Sequence, residues 1–223
     1  IGIICEYNPF HYGHKYHINE IKKMYPDSMI ILVMSGPFTQ RGDASIINKW
    51  DKARIALDNN VDLVIELPFV FATQGADIFS HGAIEILKYL KVDKLVFGSE
   101  SNNIRELKDL AMSALNNKAY DILVKDYLSK GVNYPTALSK ALSDLNGTII
   151  NTPNDLLGLC YIKEIIKQKA NIEPISIKRT NDYHDKELKD FITSATSIRE
   201  GIKNKQSIVK YLPHSGIEYI VNV

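Results

Sequence analysis

The chain is poor in the features that settle a protein's class at a glance. It has two cysteines in 223 residues, Cys5 in an apolar segment and Cys160 in an apolar helical pattern. A disulfide framework is therefore not expected, and a reducing cytoplasm is the expected compartment. No apolar run approaches the ~20 residues that span a bilayer. The start lacks a basic stretch leading into a long apolar segment, so no signal peptide is expected either. It also lacks a leading Met, which places the expected true start slightly upstream. Charge of one sign is missing as well: 27 Lys+Arg stand against 26 Asp+Glu, for a formal net charge of +1. What remains, 45% hydrophobic and 24% charged, is ordinary for a globular protein, and the length suits one large domain or one with an appendage.

The small net charge is unevenly spread. Residues 1–100 carry 10 Lys+Arg against 12 Asp+Glu, whereas 163–210 carry 11 against 7. A solvated helical face accounts for such an excess, and so does a basic surface that meets RNA phosphates. Lys203, Lys205 and Lys210 are the expected RNA contacts on the second reading.

Short apolar runs alternate with amphipathic stretches. Strands are expected at 1–5, 29–34, 61–66, 94–98 and 173–178, the second buried on both faces. Helices are expected at 14–24, 48–59, from an Asp77 cap to Leu90, and at 196–203. The Asp77 helix should bury Ile78, Ala83, Ile86, Leu87 and Leu90. A helical section over about 103–169 is broken near Gly131, Pro135, Gly147 and Pro153. This alternation predicts an α/β, Rossmann-like fold. Its five-stranded, mostly parallel sheet has the order 3-2-1-4-5, helices on both faces, and a helical insertion between strands 4 and 5. One domain over 1–203 is expected, with 204–223 opening a C-terminal extension. Ligands of such sheets sit beyond the strand C-termini, so His11, Gly98 and Arg199 should meet there.

Three of the six histidines lie within the first 17 residues, in Cys5-Glu6-Tyr7-Asn8-Pro9-Phe10-His11-Tyr12-Gly13-His14-Lys15-Tyr16-His17. A strand that breaks at Asn8-Pro9 and turns at Gly13 into a helix has phosphate-binding geometry. Free backbone N–H groups and the positive dipole end face the ligand there. Two imidazoles at that point can donate to phosphate oxygens and to charge that develops on them. The alternatives are idle surface histidines and a metal site from His11, His14 and His17. No nearby Cys or paired carboxylate completes a zinc set, so no metal ligand is assigned. Far downstream, Thr193-Ser194-Ala195-Thr196-Ser197-Ile198-Arg199 clusters hydroxyls at a helix start. They can cap the helix and contact phosphate, with Arg199 ready for a β- or γ-phosphate. After the second strand, Ser35-Gly36-Pro37-Phe38-Thr39-Gln40-Arg41 reads as a loop at the site mouth. Its Ser35, Gln40 and Arg41 are then substrate candidates; a structural turn is the competing reading. Trp50 and Phe38 read as packing residues, and His184 as a solvated loop residue.

The pairing of His11-x-Gly13-His14 with Ser194-Ala195-Thr196-Ser197-Ile198-Arg199 resembles the HIGH-type nucleotidyltransferase superfamily. Within it, the chain resembles the bacterial tRNA(Met) cytidine acetate ligase family. The match runs through Glu6–His11, Met34-Ser35-Gly36, Gln40-Arg41-Gly42, Asp62–Pro68, Phe97-Gly98-Ser99-Glu100, Pro153-Asn154 and Asp182-Tyr183-His184-Asp185. The resemblance implies ATP-dependent activation of acetate to acetyl-adenylate, then acetylation of the wobble cytidine of elongator tRNA(Met). It implies ATP as cofactor, with Mg2+ as an optional companion, and tRNA(Met) and acetate as partners; oligomeric state stays open. His11, His14 and Arg199 take the catalytic roles. Ile4, Glu6, Tyr7, Asn8, Gly13, His17, Gly98, Asn154, Arg179, Ser194 and Thr196 take the ATP-contacting ones. The chain departs from the family pattern at Tyr12, at Asp155-Leu156, and in stopping at Val223 where relatives usually continue. An adenylyltransferase acting on a phosphorylated cofactor precursor is the alternative function, and a non-catalytic nucleotide-binding module is a further one.

Overall fold

The computed structural model is described over residues 1–179 and 193–220. In chain order its elements are β1 (Gly2–Cys5), α1 (Tyr12–Met24), β2 (Ile31–Ser35), α2 (Lys49–Leu57), β3 (Leu63–Leu67), α3 (Phe69–Ala72), α4 (Ala76–Tyr89) and β4 (Lys94–Ser99). There follow α5 (Ile104–Asn116), α6 (Lys118–Ser129), α7 (Tyr134–Asn146), α8 (Pro153–Lys167), β5 (Glu173–Lys178), α9 (Ala195–Lys203) and α10 (His214–Ile220). The strands form one sheet in the order β3-β2-β1-β4-β5, as the sequence predicts, and β1–β2, β2–β3 and β4–β5 pair in parallel. The insertion between β4 and β5 is the four-helix run α5–α8. By packing, the chain falls into two compact units, Ile1–Thr73 with Arg179–Val223, and Gln74–Lys178.

In the first unit, β2 is the central strand. Leu32 and Val33 point to opposite faces of it, yet both are fully buried. Covering both faces of a parallel strand in this way removes each side chain from water, worth roughly 1.5–3 kcal/mol apiece. Ile18 and Ile21 of α1 and Ile55 and Ala56 of α2 supply fully buried helix contacts. Met29 is not part of the strand, as the sequence reading had it: it is 60% exposed, because the ladder begins only at Ile31. The 3₁₀ turn Val209–Tyr211 and helix α10 follow α9. Helix α10 lies against α2: Asn59 Nδ2 donates to Ser215 Oγ at 2.8 Å.

The first unit is held at its centre by a buried lysine. Lys52 of α2 is fully buried. Its ammonium donates to the carbonyls of Glu6 (3.0 Å), Ser35 (2.7 Å) and Gly36 (2.9 Å), and to Ser45 Oγ (3.1 Å). One charge thus ties the chain leaving β1 to the chain leaving β2. Burial lowers the Lys52 pKa, while Cys5, Glu6 and Glu66 pull it back up.

In the second unit, β4 and β5 pair in register from Lys94–Glu173 to Ser99–Lys178. Helix α8 packs tightly on Phe97: a Cβ on Gly158 would come within 2.4 Å of its ring. Two expectations for α4 fail. Its N-cap is Gly75, with no side-chain cap. Asp77 instead turns inward, pairs with the buried Lys163 at 3.4 Å and accepts from Tyr134 Oη. With Asp77 turned inward, the expected Ala83 and Leu87 are buried together with Phe79 and Ile84, while Ile78 is left 49% exposed.

Lys52→Met removes the ammonium and leaves three carbonyls and a hydroxyl without their donor. Hydrogen bonds to a charged group are worth about 1.5–3 kcal/mol each, and orphaned buried acceptors add to the loss. The expected cost is about 3 kcal/mol or more, read as a lower urea midpoint. A midpoint within 0.5 kcal/mol of the parent would show that the ammonium is dispensable.

Candidate active site

The histidine segment is shaped by its own backbone. After β1 the chain passes Tyr7 at φ +47°, in the left-handed region that bulky residues avoid, then a cis Asn8–Pro9 bond, and enters α1 after His11. His11 is the N-cap, and its Nδ1 accepts the Gly13 N–H at 3.0 Å. His14 reaches back, and its Nδ1 accepts the His11 N–H at 3.3 Å. This is a reciprocal capping box in which two imidazoles replace the usual hydroxyl and carboxamide. The rings stack at 3.8 Å between centroids.

That cap dictates the chemistry of both rings. A nitrogen that accepts an N–H carries no proton, so each neutral ring holds its proton on Nε2. Both side chains are therefore donors through Nε2–H. Protonating either ring would turn its Nδ1 into a donor and break the cap. The surroundings oppose that as well. Burial, then Arg179 and Arg199, lower the His11 pKa to about 3. Burial, then His11, Arg179 and His17, hold His14 well below the usual histidine range. Burial and Arg179 bring His17 to about 4.

The late motif meets the early one. Ser194 caps α9 by accepting the Ser197 N–H at 3.0 Å. Arg199 donates from Nη1 to the Asn8 carbonyl at 2.7 Å and from Nη2 to Thr196 Oγ1 at 3.1 Å. Asn8 is itself fixed, since its Oδ1 accepts the Ile46 N–H at 2.9 Å. Glu6 Oε1 accepts the Gln40 N–H at 2.6 Å, which anchors the loop after β2. His17 Nε2 and Arg179 Nε are buried without a hydrogen-bond partner among the described residues.

The other sequence-picked residues fall as follows. Ile4 is buried inside β1, in register with Val33. Ser35 is fully buried at the end of β2, and its carbonyl is held by Lys52. Arg41 is exposed on the loop beyond Gln40. Lys203 is exposed and pairs with Glu200 at 2.9 Å. Lys205 is exposed at φ +53°, and Lys210 lies 4.9 Å above the Tyr211 ring. Asp182–Asp185 lie outside the described residues. Among the described residues, no three His, Cys, Asp or Glu side chains are grouped as a metal site. Both cysteines are free, and burial pushes their thiols up, so neither is a ready nucleophile.

Gly98 and Asn154 belong to the second unit. Gly98 is half-buried near the C-terminal end of β4. Two carboxylates pin the segment after it to the start of α8. Asp155 accepts from Ser99 Oγ, from the Ser101 N–H at 3.0 Å and from Thr152 Oγ1 at 2.8 Å. Glu100 accepts the Asp155 N–H at 3.1 Å and the Asn154 amide Nδ2. A carboxylate only accepts, so Asn154 must turn its NH2 toward Glu100 and present Oδ1 elsewhere. Lys52 and Asp155 were missed from sequence as organisers of these loops. Thr152-x-x-Asp155 is a capping-type spacing that flags the second; nothing local flags the first.

A strand, a histidine-capped helix and a late Ser/Thr–Ile–Arg helix, on a parallel sheet of this order, define a nucleotidyltransferase site. In agreement, a family profile described as HIGH Nucleotidyl Transferase matches residues 1–223. The tRNA(Met) cytidine acetate ligase of Anoxybacillus flavithermus is 42% identical over 225 residues, 98% of this chain and 56% of its own length. That of Mycoplasma mobile is 42% identical over 96% of this chain and 72% of its own length. The crystal structure of apo Thermotoga maritima TmcAL matches with a TM-score of 0.88 at 36% identity, covering 99% of this chain and 56% of that one. The same protein bound with alpha-thio ATP matches at 0.84. The chain belongs to the HIGH nucleotidyltransferase family and, within it, to the tRNA(Met) cytidine acetate ligases. It spans little more than half the length of several of these relatives.

The histidine row makes stability depend on pH. The folded pKa of His11, about 3, lies below the ~6.5 of an unfolded histidine, so the unfolded chain binds the extra proton between them. The contribution is fully present above pH ~6.5 and is lost as pH falls toward 3. At ~1.4 kcal/mol per pH unit, His11 alone should cost ~2 kcal/mol between pH 6.5 and 5. His11→Asn keeps a capping side chain and removes the titration, so its urea midpoint should fall less over that interval. An equally steep fall would assign the dependence to other groups.

Proposed function

We propose that this chain carries the ATP site of a tRNA(Met) cytidine acetate ligase, and that the complete protein activates acetate as acetyl-adenylate and acetylates the wobble cytidine of elongator tRNA(Met). The observation that carries the reading is the pair His11 and His14, locked as neutral Nε2–H donors beside Arg199 and Arg179. Neutral donors can be buried without a counter-ion, whereas two adjacent imidazolium ions could not. The charges are left to the arginines, which cannot be deprotonated.

In this reading the triphosphate lies at the N-terminus of α1. His11 and His14 donate to the α-phosphate as acetate oxygen attacks phosphorus and pyrophosphate leaves. They stabilise charge on the five-coordinate phosphorus without forming a covalent bond. Arg199 and Arg179 neutralise the departing pyrophosphate, and His17 Nε2 and Arg179 Nε have capacity to spare for it. Ser194 and Thr196 complete the phosphate contacts. Ile4, Glu6, Tyr7, Asn8 and Gly13 line the entry, and Gly98 and Asn154 face the nucleoside. Ser35, Gln40 and Arg41 remain the acetate candidates. Mg2+ accompanies the triphosphate in solution and has no assigned protein ligand. Lys203, Lys205 and Lys210 are proposed to meet tRNA phosphates. No helix among the described residues is long and apolar enough to cross a membrane, and the cytoplasm is the proposed compartment.

His14→Ala should lower acetate-dependent pyrophosphate exchange into ATP by ~100-fold or more, about 3 kcal/mol, as expected for one lost preorganised donor. ATP affinity should change far less. A rate that falls only in step with affinity would remove the catalytic role. In the complete protein, reversing the charges of Lys203, Lys205 and Lys210 should leave exchange intact and abolish acetyl transfer to tRNA, because phosphate contacts are charge-driven. Unimpaired transfer would move the RNA contacts elsewhere. Exchange that is absent with acetate would favour the cofactor adenylyltransferase.

A further inference from the structure

The two aromatics that sequence reads as packing residues are exposed. Trp50 is 73% exposed and Phe38 39%, and Phe69 joins them at 58%. Phe38 and Phe69 meet edge to face at 5.7 Å between centroids. Beside Trp50, the Lys49 ammonium lies 5.1 Å from the ring centre and pairs with Glu66 Oε2 of β3 at 2.6 Å. All three rings are exposed on the segments that follow β2 and β3.

Its place in the fold is telling. β1, β2 and β3 are parallel, so the chain leaves all three at one edge of the sheet. His11 follows β1, Phe38 follows β2 and Phe69 follows β3 at that edge. Trp50 stands in the first turn of α2, the helix whose Lys52 ties the first two exits together. An acceptor that comes to the histidines must approach this edge.

We propose that Phe38, Trp50 and Phe69 form a stacking platform for unpaired bases of the RNA acceptor. This deepens the reading of the preceding subsection and rests on it. Single-stranded RNA is held by aromatic faces that take bases in turn and by cations that follow its backbone. This edge supplies both: the exposed faces of Phe38, Phe69 and Trp50, and the Lys49 ammonium over the Trp50 ring. Stacking needs no base-specific hydrogen bonds, so the platform orders a loop and leaves the choice of base to the site itself.

Trp50 is the single tryptophan of this chain, and in the complete protein its emission is read as the difference between the parent and Trp50→Phe. The complete protein is titrated with an RNA hairpin whose unpaired loop contains cytidine, and with a fully paired duplex of the same composition. The hairpin should quench Trp50 fluorescence in a saturable way, and the duplex should not. Phe38→Ala and Phe69→Ala should each weaken hairpin binding about tenfold, within the range for loss of one stacked base. Acetate-dependent pyrophosphate exchange, which needs no RNA, is read in the same preparations. Lost hairpin binding with retained exchange is the expected result, and equal loss of both overturns the platform. Hairpin binding, seen by mobility shift, that leaves Trp50 emission unchanged also overturns it. So does blue-shifted, iodide-resistant emission before RNA is added, which would mean that protein covers Trp50. Absent exchange in the parent protein, with quenching intact, would sink the acetate reading and leave the platform standing.

Discussion

The buried ammonium of Lys52 is the constraint on which the first unit depends. Strands β1 and β2 end side by side, and the chain beyond each must leave the sheet without its ladder partners. Three carbonyls are exposed to a dry environment at that point. A single Nζ with three protons satisfies them, together with Ser45 Oγ. The Glu6 carbonyl it holds starts the segment that becomes the histidine cap, and Ser35 and Gly36 start the Phe38 loop. The cost is a desolvated cation, visible as a lowered pKa. Glu66 helps to offset it from the next strand, and its carboxylate fits over Gly36 so closely that a Cβ there would come within 2.3 Å of Oε1. Position and charge at the site edge are therefore one coupled arrangement.

Under the proposed reading, the histidine row solves a second electrostatic problem. A site for a polyanion needs donors, yet before the ligand arrives it must not hold unbalanced charge in a buried place. His11, His14 and His17 meet that demand by staying neutral. Arg179 and Arg199 supply the charge, and Arg199 is steadied in advance by the Asn8 carbonyl and Thr196. The same arginines that would attract phosphate also lower the histidine pKa values. The donors are thus kept in the one protonation state that preserves their own cap.

The sheet was legible in the sequence because parallel strands leave continuous apolar runs, and all five runs became strands in the expected order. The pairing of the early and late motifs was legible too, and Arg199 does reach the histidine loop. What escaped was whatever depends on partners distant in sequence. Lys52 sits between Asp51 and Ala53 on a short helix and reads as a solvated charge; only the exits of two strands make it buried. Asp77 opens a helix and reads as a cap, but Lys163, 86 residues later, draws it inside. Trp50 and Phe38 read as core because large aromatics usually are, and only the assembled edge leaves them in water. Residue type and spacing carry local geometry, whereas burial of a lone charge or ring is a property of the whole fold.

The helix starts also differ in how each would meet an anion. Helix α1 has no acidic residue in its first turn, and its cap is a pair of neutral imidazoles. Helix α9 likewise has no acid in its first turn. Both leave the positive end of the dipole unneutralised, which favours an incoming anion. Helix α8 is the opposite case. Asp155 lies in its first turn, and the Glu100 carboxylate accepts its Asp155 N–H. That end already holds its anions and would repel a phosphate. Under the proposed reading, the triphosphate therefore belongs to α1 and α9.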